Sequence, residues 1–281
     1  MRKFSVLMSV YSGDSLEYFD TALKSISIEQ KEPPSEIILV VDGPLTESIN
    51  SYVRGIESNG NIYGVTSNVI RLPINNGLAK ALNIGLKYCK SDWILRMDSD
   101  DISDATRIQK TNAIIDKNPS ASMVGFSYRI FDTDPDFPYS QRFCPDLVDK
   151  NCRKRFFKTP INHPTIAFKK EVALALGGYP DDIGRFEDWG FALRFVNSDY
   201  QIINNKISVL SFRGPKELML KRGGWKYLIE EINALFKIHL KGLIPLWPLI
   251  VNLIIRMPTR LLPLSIRRLI YSNFIWKKYH I

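Results

Sequence analysis

Between Trp93 and Asp101 the chain reads Trp-Ile-Leu-Arg-Met-Asp-Ser-Asp-Asp, an apolar run that ends in three carboxylates within four positions. Like charges set that closely repel one another and raise each other's pKa unless a cation lies among them. Hard oxygen donors of this type suit Mg²⁺ or Mn²⁺, which complete their coordination with water and a ligand's phosphates. For Asp98 and Asp100 together the spacing favours a metal. Asp101 and Asp104 have a competing role, because Asp is also a common N-cap for the helix expected to follow.

Elements with two different periods must hold these acids in place. Phe4–Val10 and Ile37–Val41 are short, β-branched and apolar, and each runs into a turn, Tyr11-Ser12-Gly13-Asp14 and Asp42-Gly43-Pro44. Between them Leu16, Phe19, Leu23 and Ile26 recur at helical spacing. Val69–Leu72 and Trp93–Met97 read as further strands, and Leu45–Glu57 and Ala105–Asn118 as helices. Leu78, Leu82 and Leu86 mark one face of a helix opened by Asn75-Asn76-Gly77, with Lys80 near its start. Near-continuous apolar strands alternating with helices specify an α/β fold around a parallel sheet. Ligands of such sheets bind beyond the carboxyl ends of the strands, where the acids fall. Met123–Phe131 gives a fifth strand, Asp132–Pro138 a surface loop, Thr165–Phe168 another strand and Glu171–Leu176 a short helix.

The chain has 281 residues and a formal charge of +9. From Lys216 onward there are 12 Lys/Arg against 3 Asp/Glu, a balance of +9, so residues 1–215 are neutral with 26 of each sign. The three cysteines form no CxxC pair, which argues against zinc and against a disulfide framework. Gly242–Ile255 carries no charge but, at 14 residues, is shorter than the ~20 of a spanning helix, and Pro245 and Pro248 interrupt it. Basic residues interleaved with Leu, Ile, Trp and Tyr to the end describe an in-plane anchor on an anionic membrane surface. The alternative is a helical subdomain packed on the core or on a second subunit, making a homo-oligomer. Without a recognised nucleic-acid motif, nucleic acid is not the expected partner.

Taken together, FSVLMSVY (4–11), ILVVDG (38–43), NNGLAKALNIG (75–85), RMDSDDIS (96–103), NHPTIAF (162–168) and GGYPDDIGRFEDWGFAL (177–193) resemble a family-2 glycosyltransferase with the GT-A fold. The similarity is greatest to bacterial enzymes of surface polysaccharide assembly such as O-antigen and capsule. It covers about residues 4–225. It implies a GT-A catalytic domain over 1–214, with a nucleotide-sugar-binding half (1–104) and an acceptor-side half (105–214), followed by a basic helical tail over 215–281.

By that resemblance Asp42 contacts the uracil of a UDP-sugar, Asp98 and Asp100 form the DxD motif that holds Mn²⁺ or Mg²⁺, and Asp188 of the Glu187-Asp188 pair is the catalytic base. Tyr11, Lys80, Arg96 and Arg222 are candidate nucleotide-sugar contacts. His163 and Glu187 are candidates for the acceptor side. Ser12 departs from the Asn common after the tyrosine in this family. The QxxRW motif of processive synthases is replaced by Met219–Trp225, which implies addition of one sugar. The expected acceptor is a lipid-linked saccharide, and the expected location is peripheral on the cytoplasmic face of the bacterial inner membrane. Two alternatives stand beside this reading: a nucleotidyltransferase, whose phosphate loop is missing after the first strand, and a non-catalytic membrane-associated nucleotide-sugar-binding protein.

Overall fold

The structure is a computed structural model that describes residues 2–145, 151, 153–214, 223–263, 266 and 277–278. Its centre is four parallel strands: β1 (Phe4–Val10), β2 (Glu36–Asp42), β4 (Val65–Leu72) and β5 (Trp93–Met97), in the order β4-β2-β1-β5. Helices α1 (Leu16–Ile26), α2 (Glu47–Asn59) and α3 (Leu78–Tyr88) cross between them. A two-residue strand, β3 (Asn61–Ile62), pairs antiparallel with the start of β4.

Alternation along each strand sorts the helices into two outer layers. Val6, Met8 and Val10 of β1, with Ile37, Leu39 and Val41 of β2, pack with Phe19 and Leu23 of α1 and Val53 of α2. Leu7, Ile38 and Val40 point the other way, into a second core with Leu82 and Leu86 of α3. Strands buried on both faces have no polar side to expose, which is why they read as unbroken apolar runs. Gly85 lets α3 lie directly on the sheet, since a Cβ there would fall 2.5 Å from Leu7 Cδ1.

Past β5 the sheet becomes mixed. Beyond β6 (Ile102–Ser103) and α4 (Arg107–Lys117) runs the long β7 (Ala121–Phe131), flanked by β8 (Ser140–Arg142). β9 (Ala167–Lys169) lies antiparallel between β5 and β7, and β10 (Gln201–Arg213) runs parallel to β7 and pairs with β6. Two helices, α5 (Lys170–Ala175) and α6 (Glu187–Val196), separate β9 from β10. Phe191 and Phe195 of α6 join the core that α3 covers. Among the described residues one edge of the sheet is β11 (Lys277–Lys278), against β8.

Between β10 and β11 the chain forms an antiparallel helix pair, α7 (Trp225–Leu240) and α8 (Leu246–Leu261), whose far ends meet where Gly224 N–H donates to the Arg260 carbonyl at 3.1 Å. Several expected boundaries move. β4 begins at Val65 rather than Val69, because its first residues are paired by β3. The turn at His163–Thr165 is a single 3₁₀ turn, so the strand after it starts at Ala167. Pro245 and Pro248 do not interrupt a helix: Pro245 is the N-cap of α8 and Pro248 lies in its first turn, where no intrahelical N–H is needed.

Candidate active site

The order β4-β2-β1-β5 places its switch point between β1 and β5, and the loops after these two strands flank the crevice that ligands of open α/β sheets use. Asp98 and Asp100 follow β5, Tyr11 and Asp14 follow β1, and Asp42 ends β2. Asp42 is buried and its two carboxylate oxygens accept the N–H groups of Asn76 (2.7 Å) and Gly77 (2.9 Å), tying the entry of α3 to the end of β2. Gly43 permits this approach: its φ is +86° and a Cβ would fall 2.5 Å from the Asn75 nitrogen. Lys80, one turn into α3, is exposed.

Arg96 is the buried cation of the site, 2% exposed, and its Nη1 pairs with the Asp98 carboxylate. Burial lowers its pKa, while Tyr179, Asp101, Asp100 and Glu187 act to keep it charged. Asp100 is open to solvent on one side, yet the cleft removes enough water from its carboxyl to raise its pKa against the pull of Arg96 and Arg213. Asp101 is fully buried and does not cap a helix. Its Oδ1 accepts Arg213 N–H at 3.0 Å, its Oδ2 has no partner, and burial with Asp100 beside it pushes its pKa up to about 8. Asp104 does not cap α4 either: Thr106 is the N-cap residue, and the Asp104 carboxylate accepts its N–H at 2.9 Å and faces Lys110.

Four contributors receive no role from the sequence motifs. Asp14 accepts Tyr11 N–H at 3.0 Å, and burial raises its carboxyl to about 6, with Ser99 and Asp100 beside it. Arg107 is fully buried under β5, where Nη2 donates to the Arg96 carbonyl (2.7 Å) and the Pro164 carbonyl (3.1 Å). Burial, reinforced by Arg96, lowers the Arg107 pKa to about 9. Arg213 donates from Nε to the Asp100 carbonyl at 3.1 Å and lies 3.7 Å over the Tyr18 ring. Tyr179 is the fourth.

Across the cleft, Glu187 and Asp188 open α6, where the helix dipole favours carboxylates. Asp188 Oδ1 accepts Trp189 N–H at 2.6 Å, so this acid lies inside the first turn and Phe186 takes the N-cap position. Burial, then the Asp188 charge, raise Glu187 to about 7, opposed by Arg96 and Arg185. Tyr179 feels both acids and Arg96, and burial raises its pKa. Its hydroxyl shares a 3.0 Å hydrogen bond with His163 Nε2, and its ring stacks on Phe191 at 4.0 Å. Burial and Arg96 hold the His163 pKa well below its ordinary value, so this imidazole is neutral and interior.

The structure thus gathers Asp98, Asp100, Glu187 and His163 around the buried Arg96 guanidinium. Arg222 lies outside the described residues. As a metal site, Asp98 offers the oxygen not engaged by Arg96, and Asp100 makes no ion pair to a described residue. Among the described residues no three His, Cys, Asp or Glu side chains form a self-sufficient metal cage. The donors fit a hard divalent cation completed by phosphate oxygens and water.

A doubly wound nucleotide-type sheet extended by a mixed half, with acids at the switch point and at the head of a facing helix, defines a GT-A-like glycosyltransferase. The chain matches Glycosyl transferase family 2 over residues 5–176, more than half its length, and belongs to that family. It is 32% identical over 275 residues to the UDP-Gal:alpha-D-GlcNAc-diphosphoundecaprenol beta-1,3-galactosyltransferase of Escherichia coli, covering 97% of this chain and 96% of that one. It is 29% identical to the amylovoran biosynthesis glycosyltransferase AmsE of Erwinia amylovora, covering 96% and 98%. Among solved structures, S. aureus TarS 1–349 in complex with UDP-GlcNAc superposes with a TM-score of 0.62 at 18% identity, over 84% of this chain and 66% of that one. The mannosyltransferase PcManGT of Pyrobaculum calidifontis, in complex with GDP-Man and Mn²⁺, gives 0.61 at 19% identity, over 90% and 68%. At these identities the two structures establish the shared fold.

Proposed function

We propose that this glycosyltransferase moves one hexose, with inversion, from a UDP-sugar to a hydroxyl of a lipid-linked saccharide in bacterial surface polysaccharide assembly. The observation that carries the reading is the apposition of two acidic groups about Arg96: Asp98 and Asp100 at the switch point, Glu187 and Asp188 at the head of α6. The end-to-end likeness to a galactosyltransferase whose name specifies UDP-Gal and a diphosphoundecaprenol acceptor supports the donor and acceptor classes. Such a donor is cytoplasmic, so the reaction belongs on the inner face of the membrane.

In this mechanism Asp42 and the loop it anchors shape the base end of the donor site, and Asp98 and Asp100 face its diphosphate. Mn²⁺ or Mg²⁺, when bound there, supplies Lewis-acid neutralisation of the leaving diphosphate. The acceptor hydroxyl oxygen attacks the anomeric carbon from the side opposite the leaving group. Its proton passes to the Asp188 carboxylate as the new C–O bond forms, and the electron pair of the broken C–O bond leaves with UDP. Arg96, Arg107 and Asp101 take no part in the bond changes. They fix β5 and the Pro164 turn so that the acids keep their spacing.

The test is a screen of UDP- and GDP-sugars for hydrolysis and for transfer to a diphosphate-linked acceptor, with Mn²⁺, Mg²⁺ or chelator. UDP-sugar turnover that chelator stops and that Asp188→Asn slows supports the reading. Turnover confined to GDP-sugars, or unaffected by chelator, overturns the donor or the metal assignment respectively.

A further inference from the structure

The helix pair α7–α8 is fastened to the element that carries the proposed base. Leu235 and Ile238 of α7 and Leu249 of α8 pack with Ile183, Trp189 and Leu193 in a third core beside α6. Polar ties surround it: Asn252 Nδ2 donates to the Phe156 carbonyl at 2.8 Å, Asn197 Nδ2 to the Leu243 carbonyl at 2.9 Å, and Lys241 pairs with Asp182 at 3.0 Å. Between the helices Glu231 is fully buried and receives Arg256 at 2.6 Å and Arg260 at 2.5 Å. The pair is therefore a rigid block joined to Glu187 and Asp188, not a loose extension.

Its outer side carries an apolar stripe, beside the exposed Lys226, Asn233 and Lys237 on α7. Trp225, Ile229 and Leu240 recur on α7 at spacings of 4 and 11, and Leu246, Ile250 and Ile254 on α8 at spacings of 4. Those spacings bring each trio onto one helix face, turned away from the residues that pack inward. Trp225 is 70% exposed, Leu240 81% and Ile254 66%. Paired amphipathic helices that bury one side in the core and leave an apolar stripe on the other present a surface that calls for a covering.

We infer that this outer face of α7–α8 docks on an anionic lipid surface and holds the head of α6 at a set height above it. Charge chooses lipid over protein, and helix length sets the mode. The segment from Lys216 onward, to which both helices belong, carries the whole +9 of the chain, a sign that complements anionic headgroups. Among the described residues no helix is long and apolar enough to cross a membrane, which leaves in-plane docking as the mode open to this face. The role in presenting an acceptor rests on the lipid-linked acceptor proposed above. The docking itself does not.

The experiment is flotation of the full chain with phosphatidylglycerol/phosphatidylcholine vesicles and with pure phosphatidylcholine, alongside sedimentation velocity without lipid and soluble UDP-sugar hydrolysis. The expected results are flotation with the anionic vesicles that weakens at high salt, and loss of roughly tenfold or more in partitioning for Ile250→Glu and for Ile254→Glu. Both positions are exposed, so both variants should keep wild-type melting and hydrolysis. Absence of flotation by the folded wild type overturns the inference. So does a lipid-free dimer that both substitutions dissociate without changing flotation, since the face then joins two copies. If hydrolysis is absent while flotation holds, the catalytic reading fails and the docking stands.

Discussion

Glu187→Gln tests whether the acids at the head of α6 sit in the environment described. Glu187 ionises in the unfolded chain near 4.5 and in the folded protein near 7, raised by burial and then by Asp188. A carboxyl raised on folding favours the native state while both states are protonated, and that advantage is lost as pH rises through the folded pKa. Ionising Glu187 in place therefore costs about 3 kcal/mol, developed between pH 4.5 and about 7.5 and constant above. Glutamine keeps the volume and removes the charge. In urea denaturation without divalent cation, the variant should gain about 2–3 kcal/mol over wild type at pH 8, falling below about 1 kcal/mol at pH 5. A variant no more stable than wild type at pH 8, or one with the same gain at both pH values, would refute the partly buried, charge-crowded environment assigned to Glu187.

The other expectations follow from the same contacts. Asp188→Asn should lower turnover by roughly 10²–10⁴ with little change in donor affinity, read by single-turnover transfer and donor titration. If donor binding collapses while turnover per bound donor stays normal, Asp188 is a ligand contact and not the base. Asp100→Ala should abolish metal-dependent transfer and leave the melting temperature within a few degrees of wild type, because no ion pair of the described residues depends on that carboxylate. Glu231→Ala strands two guanidinium groups in the α7–α8 seam and should cost about 3–5 kcal/mol in chemical denaturation. A chain ended at Lys241 should melt lower than the full chain, since Leu243, Ile244 and Leu249 would no longer cover Trp189 and Leu193.

The parallel half of the fold was legible because its cause is local. Phe4–Val10 and Ile37–Val41 are apolar on both faces, and that pattern alone specifies strands covered on both sides. The acids at the strand ends were legible for the same reason, since Asp98 and Asp100 stand where an apolar run stops. Arg107 and Arg213 were not, because each acts through contacts distant in sequence: Arg107 reaches Arg96 and Pro164, and Arg213 reaches Asp100 and Asp101. A charged residue in a helix or strand reads as surface until the fold buries it. Asp14 shows an intermediate case. Its turn was visible, but the raised carboxyl depends on Ser99 and Asp100 arriving from the next loop of the switch point. His163 carried a signal as a histidine beside a proline, yet whether it faces ligand or Tyr179 is decided by the stacking of Tyr179 on Phe191.

Composition read the tail as one basic amphipathic segment, whereas the described part does two jobs. On α7 the residues 228, 231, 235 and 238 turn inward and 225, 229 and 240 turn outward. A hydropathy count cannot separate these sets, because both are apolar apart from Glu231. Glu231 is what decides the arrangement: a buried carboxylate needs compensation, and Arg256 and Arg260, four residues apart on α8, supply it from one helix face. Two of the tail's twelve cations are thereby internal, so they hold the helices together and contribute nothing to an exposed basic field. Any attraction of this block for an anionic surface must come from the remaining basic residues, with the apolar face of α7–α8 supplying insertion. That division gives salt and the Ile254→Glu substitution separable effects on the same binding.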